Sequence, residues 1–133
     1  METILLLTIG TSIGTAVSQG GTLLRNVELG RLLNEDGDHI DQTASARALR
    51  EYNMDMNKWS QNLSSAITRI ASCISPDTIL VGGGITEEPD SWFGMIEVGA
   101  TLELAPDSNH AGLIGAACWH HDFRNGLLNR NTR

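Results

Sequence analysis

Residues 3–24 read TILLLTIGTSIGTAVSQGGTLL. The nearly continuous apolar run at positions 4–9 is typical of a strand that is buried on both faces of a sheet. The run ends at a glycine turn, and positions 15–19 then alternate weakly, as a second strand would. Gly20 and Gly21 follow, and both can adopt positive φ without a Cβ clash. They predict a tight hairpin that returns the chain as a third strand at positions 22–24.

A second transition from strand to glycine lies at positions 78–84, TILVGGG. The β-branched residues of this segment predict a short strand. Gly82, Gly83 and Gly84 stand at its C-terminal end, where glycines leave space for a ligand or for another backbone. In an open α/β sheet, ligands bind at that end of the strands. A plain strand-to-helix turn is the alternative at this position.

The remaining pattern is mainly helical. Positions 25–42 are polar and predict a long loop, whereas positions 43–52 and 55–73 predict two helices. A short helix after Pro89, a strand over 100–104 and a last helix over 110–122 complete the order. Positions 124–133 predict a flexible tail, so we expect one α/β domain over residues 1–123. The apolar stripe of the second helix consists of Met56, Trp59, Leu63, Ile67, Ile70 and Ile74.

Composition and charge exclude several classes of function. The chain has 133 residues, enough for one domain, and a formal net charge of −7. Nucleic acid is an unfavourable partner, because phosphate backbones are bound by clusters of Lys and Arg. The apolar run near the N-terminus is too short for a signal peptide or for a membrane span. Cys73 and Cys118 lie in apolar helical patterns and predict two buried thiols, which fit a reducing cytoplasm.

Three segments carry residues that suit ligand binding. The turn at 8–15, TIGTSIGT, offers backbone N–H groups and hydroxyls to a phosphate, although it lacks the Lys of a P-loop. Glu28, within NVELGR at 26–31, is able to accept hydrogen bonds from sugar hydroxyls. The segment NHAGLIGAA at 109–117 opens the last helix with small residues and free N–H groups. Each has a structural alternative: a tight hairpin, a solvated carboxylate and close helix packing.

The order and spacing of TIGTSIGTA, NVELGR, ILVGGGI and NHAGLIGAA resemble the C-terminal lobe of the ROK-family sugar kinases. The segment SARALREYNMDMNKW at 45–59 resembles the polyphosphate glucokinase branch. So does the lack of the cysteine cluster that holds zinc in many ROK proteins. The resemblance covers residues 3–120. It implies an actin-like, ribonuclease-H-like fold with a mixed sheet and flanking helices, in which a second lobe completes a cleft for sugar and phosphate donor.

The resemblance also implies a reaction and roles for particular residues. The reaction is transfer of a terminal phosphoryl group from ATP or polyphosphate to the 6-hydroxyl of glucose, with Mg2+ and without zinc. Glu28 would bind glucose hydroxyls. The phosphate-binding turn would comprise Gly10, Thr11, Ser12 and Gly14, and the nucleotide or polyphosphate side would comprise Gly82, Gly83, Gly84, Ala111 and Gly112.

The chain departs from the ROK pattern at several positions. The motif Asp-x-Gly-Gly-Thr and the Asn-Asp segment with the general base belong to the N-terminal lobe and have no match here. Ser12 stands where the family has glycine, and its Cβ is expected to crowd a phosphate or to require an unusual backbone angle. Arg31 replaces a histidine that contacts the sugar, and His110 replaces an aspartate.

Two functions are compatible with this pattern. The chain is either the C-terminal half of a cytoplasmic glucokinase, inactive without an N-terminal lobe, or a non-catalytic remnant of the same fold that binds a ligand or a partner. A ROK-type transcriptional repressor would need a basic helix-turn-helix, which the sequence lacks. An isolated lobe exposes the face that its partner lobe covers, so we predict a homo-oligomer. A clean monomer in gel filtration at high concentration would contradict that prediction.

Overall fold

A five-stranded mixed sheet organises the part of the chain that the structure describes. The structure, a computed structural model, describes residues 1–24 and 26–106. The predicted last helix and tail, Cys118, Ala111 and Gly112 lie outside these residues. The strand order is β3-β2-β1-β4-β5. The strands are β1 (Thr3–Ile9), β2 (Ile13–Gln19), β3 (Thr22–Leu24), β4 (Thr78–Gly82) and β5 (Thr101–Leu104).

The directions of the strands decide where the glycine turns lie. β1 pairs antiparallel with β2, and β2 pairs antiparallel with β3. Gly20 and Gly21 join β2 to β3 with φ values of 55° and 80°, which confirms the predicted hairpin. β1 also pairs in parallel with β4, and β4 with β5. Because β1 and β4 run the same way, the turns that follow them meet at one edge of the sheet.

β1 is buried more deeply on one face than on the other. Leu5, Leu7 and Ile9 are fully buried, whereas Ile4 and Leu6 are half-buried. The prediction of a strand buried on both faces is therefore correct for one face only. Leu5, Leu7 and Ile9 form a single core cluster with the buried side chains of the described helices.

The long helix of the fold, α3 (Met56–Ile74), confirms the helix predicted over 55–73. Asp55 caps its N-terminus, since the Asp55 carboxylate accepts hydrogen bonds from the N–H groups of Asn57 and Lys58. The predicted apolar stripe faces the core. Trp59, Leu63, Ile67 and Ile70 are buried, and Met56 and Ile74 pack partly buried against the same cluster.

Two short helices, α1 (Asp41–Ala44) and α2 (Ala46–Glu51), precede α3. The helix predicted over 43–52 is confirmed over positions 46–51, but it does not continue through Ser45. Ser45 interrupts it with an extended backbone, φ −73° and ψ 161°. Its side chain accepts a hydrogen bond from the Ala48 N–H at 3.1 Å and so caps α2. A serine in this conformation satisfies a helix N-terminus better than it continues a helix.

The polar segment after β3 is more ordered than the long loop predicted over 25–42. It contains a 3-10 turn at Leu29–Arg31 and an isolated β-bridge between Leu33 and His39. The Asn34 side-chain oxygen accepts hydrogen bonds from the N–H groups of Asp36 and Asp38. An Asn side chain can replace a backbone acceptor in this way, so the polar run closes into a compact turn.

The segment between β4 and β5 differs from the predicted short helix. It is a series of 3-10 turns at Gly84–Glu87, Pro89–Ser91 and Phe93–Met95. Pro89 does begin one of them, as a first-turn proline should. Aromatic packing, rather than helical periodicity, determines the backbone path of this segment. Trp92 is buried edge-on against Trp59, with 5.7 Å between the ring centroids.

Cys73 is exposed, contrary to the prediction of a buried thiol. It immediately precedes Ile74, the last residue of the apolar stripe, and successive helix positions point about 100° apart. Its side chain therefore leaves the core, and its Sγ lies 3.5 Å from the Arg69 carbonyl oxygen. Among the described residues, no helix combines the length and the apolarity needed to span a bilayer.

Candidate phosphate and sugar site

The turn between β1 and β2 presents polar groups at its tip. Thr11 and Ser12 are exposed, and the Gly10 N–H closes the turn by donating to the Ser12 carbonyl oxygen at 3.0 Å. The N–H groups and hydroxyls of Thr11 and Ser12 make no hydrogen bond to the described part of the chain. A Cβ on Gly10 would meet no atom within 4 Å. Unpaired donors beside open space are what an anion-binding turn requires.

Ser12 and Gly14 occupy this turn for different reasons. Positive φ occurs at Asn26, Asn53 and Ser75 among the described non-glycine residues, so Ser12 does not need the unusual backbone angle that was one of two expected consequences of its side chain. Gly14 pairs with Thr8, and a Cβ there would lie only 2.4 Å from the Thr8 hydroxyl oxygen. Gly14 thus leaves room for the Thr8 hydroxyl where β1 pairs with β2, independently of any ligand.

The Gly82–Gly84 turn lies directly beside the first turn. Thr8 and Gly82 are partners in the parallel register of β1 and β4. Gly83 has a φ of 96°, and a Cβ there would lie 2.7 Å from the Ile9 carbonyl oxygen. A residue with a side chain would be strained at this angle and would clash with the neighbouring backbone. Gly82 is buried and Gly84 is exposed, so the turn leaves the core at the sheet edge.

The segment that carries Glu28 is fixed against the start of β2, next to the same turn. The Thr15 hydroxyl donates to the Val27 carbonyl oxygen and accepts from the Leu29 N–H at 3.0 Å. Gly30 is buried against β2, where a Cβ would lie 1.9 Å from the Ile13 carbonyl oxygen. The side chain of Glu28 is exposed at this position. The carboxylate is therefore available to a ligand beside the turn.

A residue that sequence reasoning missed, Arg47, is hydrogen-bonded to the turn. Its N–H donates to the Gly10 carbonyl oxygen at 3.1 Å. Arg47 is the second residue of α2, directly after the helix start that Ser45 caps. No periodicity or motif signals this contact, because the two residues are far apart in sequence and meet only in the folded chain.

Two buried tryptophans connect the segments that flank both glycine turns. The Trp59 indole N–H donates to the Ser45 carbonyl oxygen at 2.9 Å, and the Trp92 indole N–H donates to the Ile85 carbonyl oxygen at 3.0 Å. Their rings meet edge-on with an interplanar angle of 81°. Ser45 lies two residues before Arg47, and Ile85 follows Gly84. The pair therefore supports both turns from the core.

An open groove of about 1200 Å³ follows the polar face of α3, and none of the glycine-turn residues lines it. Across residues 1–24 and 26–106, no three or more His, Cys, Asp or Glu side chains come together as a metal site. Mg2+ is commonly bound by one or two carboxylates together with substrate phosphates, so a donor-bound Mg2+ would not need such a cluster.

Most of the site residues predicted from the sequence come together at one edge of the sheet. Those that meet there are Gly10, Thr11, Ser12, Gly14, Gly82, Gly83 and Gly84, with Glu28 beside them. Ala111 and Gly112 lie outside the described residues. The signal that found the glycines was their position at strand ends, where parallel strands bring their following turns together.

Known kinases match this chain in sequence and in fold. It is 34% identical over 114 residues to the polyphosphate glucokinase of Mycobacterium leprae, covering 86% of this chain and 35% of that protein. The inorganic polyphosphate/ATP-glucomannokinase of Arthrobacter sp. strain KM aligns with a TM-score of 0.83 and 31% identity, over 89% of this chain and 46% of that one. A ROK family glucokinase from Streptomyces griseus aligns with a TM-score of 0.72 and 18% identity, over 89% and 60%. No model of a known protein family matches the sequence.

The coverage defines how far the relationship extends. The chain spans less than half the length of the polyphosphate glucokinase and of the glucomannokinase. The mixed sheet with flanking helices that the resemblance implied is confirmed by both aligned structures. The chain is therefore similar in sequence to part of the polyphosphate glucokinases, and its fold matches part of a ROK family glucokinase.

Proposed function

We propose that residues 1–123 are the C-terminal lobe of a cytoplasmic glucokinase that uses polyphosphate or ATP. The observation that carries this proposal is the meeting of the Gly10–Ser12 and Gly82–Gly84 turns at one sheet edge, beside the segment that holds Glu28. The names of the relatives, a polyphosphate glucokinase and a polyphosphate/ATP-glucomannokinase, support the choice of reaction. In this proposal the turns bind the donor and Glu28 binds glucose.

In the proposed reaction, the residues of this chain bind and orient glucose and the phosphate donor. The 6-hydroxyl oxygen of glucose attacks the terminal phosphorus of the donor, and the bond from that phosphorus to the bridging oxygen breaks. Backbone N–H groups of the turn stabilise the charge on the transferred oxygens. The hydroxyl proton passes to a general base, which we place in an N-terminal lobe. A Mg2+ ion bound to the donor would shield the phosphate charges.

A glucose phosphorylation assay tests the proposal. The chain is assayed alone and mixed with the N-terminal lobe of a related ROK kinase, with ATP and with polyphosphate as separate donors. We expect activity only in the mixture, because the base is supplied there, and the productive donor is identified in the same assay. Activity from the chain alone would refute the placement of the base. No activity in any mixture, with a folded chain by circular dichroism, would refute the half-kinase function.

Replacing Glu28 with Gln is expected to weaken glucose binding by about tenfold or more in the active mixture. The substitution removes a charged acceptor of sugar hydroxyl hydrogen bonds while preserving the size of the side chain. Isothermal titration calorimetry with glucose and with the donor checks this result, and donor binding should be unchanged. Glu35→Gln, at the exposed tip of the Asn34 turn, is the matched control. Equal losses of glucose and donor binding would point to misfolding.

A non-catalytic domain of the same fold is the second candidate function. Arg31 favours it, since this residue stands where the ROK pattern has a sugar-contacting histidine. The main chain of Arg31 is fixed by His39, whose Nδ1–H donates to the Arg31 carbonyl oxygen at 2.6 Å. Glucose binding without phosphorylation in every mixture would favour this candidate. Self-association stays a prediction, which is motivated by exposed Leu23 and Leu24 on the edge strand β3.

A further inference from the structure

An anionic donor needs positive charge that this acidic chain supplies sparingly. The sequence has 9 Lys and Arg against 16 Asp and Glu. Backbone N–H groups contribute only partial charges at the glycine turn. The basic side chains within the described residues are Arg31, Arg47, Arg50, Lys58 and Arg69. Of these, Arg47 is the one whose residue is hydrogen-bonded to the turn.

The backbone contact fixes where the side chain of Arg47 begins. The Arg47 N–H belongs to the first turn of α2, and such groups point out of the helix toward its N-terminal side. Because it donates to the Gly10 carbonyl oxygen at 3.1 Å, the turn must lie on that side. The Cα–Cβ bond of a helix residue also tilts toward the N-terminus. The Cα–Cβ bond of Arg47 therefore leans toward the side of the helix on which Gly10 lies.

The present partner of Arg47 is easily exchanged. Its Nε lies 3.9 Å from a Glu51 carboxylate oxygen, one helical turn away, and the two side chains are 42% and 61% exposed. Exposed pairs of this kind contribute little, and an arginine placed N-terminal to its glutamate is the less favourable orientation on a helix. A phosphate offers the guanidinium two parallel hydrogen bonds, which a single long contact to Glu51 does not.

We propose that Arg47 is a donor-binding residue, whose guanidinium leaves Glu51 and binds the terminal phosphates of an oligophosphate chain seated on the Gly10–Ser12 turn. The proposal rests on the proposed function and extends it to a side chain outside the glycine motifs. The recognised chemistry is a run of linked phosphates, which polyphosphate and the triphosphate of ATP share. The planar fork of arginine fits such a group better than the point charge of lysine.

Binding measurements on the full chain test this assignment. The affinities for tripolyphosphate, long-chain polyphosphate and ATP are measured by titration calorimetry for the wild type and for four variants. Arg47→Gln should weaken binding of each phosphate chain by about tenfold or more. Arg47→Lys retains the positive charge and should weaken that binding by a smaller factor. Glu51→Gln should bind slightly more tightly, because it removes the competing carboxylate. The charge-matched control is Arg69→Gln, in the part of α3 near the opposite edge of the sheet, and it should bind like the wild type.

The outcomes separate this assignment from the function on which it rests. Wild-type affinity in Arg47→Gln would overturn the role of Arg47 and leave the donor site in place. Equal losses in Arg47→Gln and Arg69→Gln would also overturn it, because the effect would then be one of total charge. A wild-type chain that binds no phosphate chain would overturn both proposals. Comparison of polyphosphate with ATP shows which donor gains more from Arg47.

Discussion

Gly30→Ala is expected to lower the free energy of unfolding by about 3 kcal/mol, at the upper end of the usual cost of overpacking. The added Cβ would lie 1.9 Å from the Ile13 carbonyl oxygen and 3.0 Å from its carbon. Both are backbone atoms of β2, so no rotamer change relieves the clash. Urea denaturation followed by circular dichroism measures the change, which should appear as a lower midpoint at an unchanged slope.

The chain provides a matched control for this substitution. Gly94 is also the middle residue of a three-residue 3-10 turn, but a Cβ there would meet no atom within 4 Å. Gly94→Ala should therefore change stability by less than about 0.5 kcal/mol. If Gly30→Ala proved as stable as Gly94→Ala, the segment that carries Glu28 would not be seated on β2. A loss confined to Gly30→Ala should also weaken glucose binding, because Glu28 lies in the displaced segment.

Local pattern was sufficient for the strands, the hairpin and the long helix. A buried strand needs a run of apolar residues, and a helix on the core needs apolar residues at steps of three and four. Both patterns lie within the segment itself and can be read from it. The prediction that Cys73 is buried was wrong, although the same stripe carried the correct signal, because Ile74 and not Cys73 continues the spacing. The signal for the break at Ser45 was present too, since serine is among the preferred helix caps.

Contacts between distant segments could not be predicted in this way. Arg47 is hydrogen-bonded to Gly10 because the first turn of α2 lies against the glycine turn in the folded chain. No pattern in the sequence around either residue predicts this contact. The 3-10 turns after β4 follow the burial of Trp92 against Trp59, which overrides the helical appearance of the segment. The glycine turns and the burial of Trp59 were predictable, whereas the hydrogen bonds from Trp59 and Trp92 to Ser45 and Ile85 were not.

Trp59→Ala is expected to lower the free energy of unfolding by about 3–5 kcal/mol, the usual cost of truncating a large buried aromatic side chain. Trp59 has 0% of its surface exposed and packs edge-on against Trp92. Its removal leaves a cavity among α3, the start of α2 and the turns after β4. Thermal and urea unfolding measure the loss, and Tyr52→Ala, at an aromatic residue that is 65% exposed, should cost less than about 0.5 kcal/mol.

A second variant separates packing from the position of the donor turn. Trp59→Phe retains an aromatic ring but removes the indole N–H, and the Ser45 carbonyl oxygen still accepts from the Leu49 N–H at 3.2 Å. Its stability cost should be about 1–2 kcal/mol, below that of Trp59→Ala, since the smaller ring also leaves part of the indole volume empty. The lost hydrogen bond loosens Ser45, which caps the helix whose Arg47 N–H holds Gly10. Donor binding should then weaken while glucose binding at Glu28 is retained, because the Glu28 segment is fixed separately through Thr15 and Gly30. Unchanged donor affinity in a folded Trp59→Phe chain would show that the tryptophan contributes packing alone.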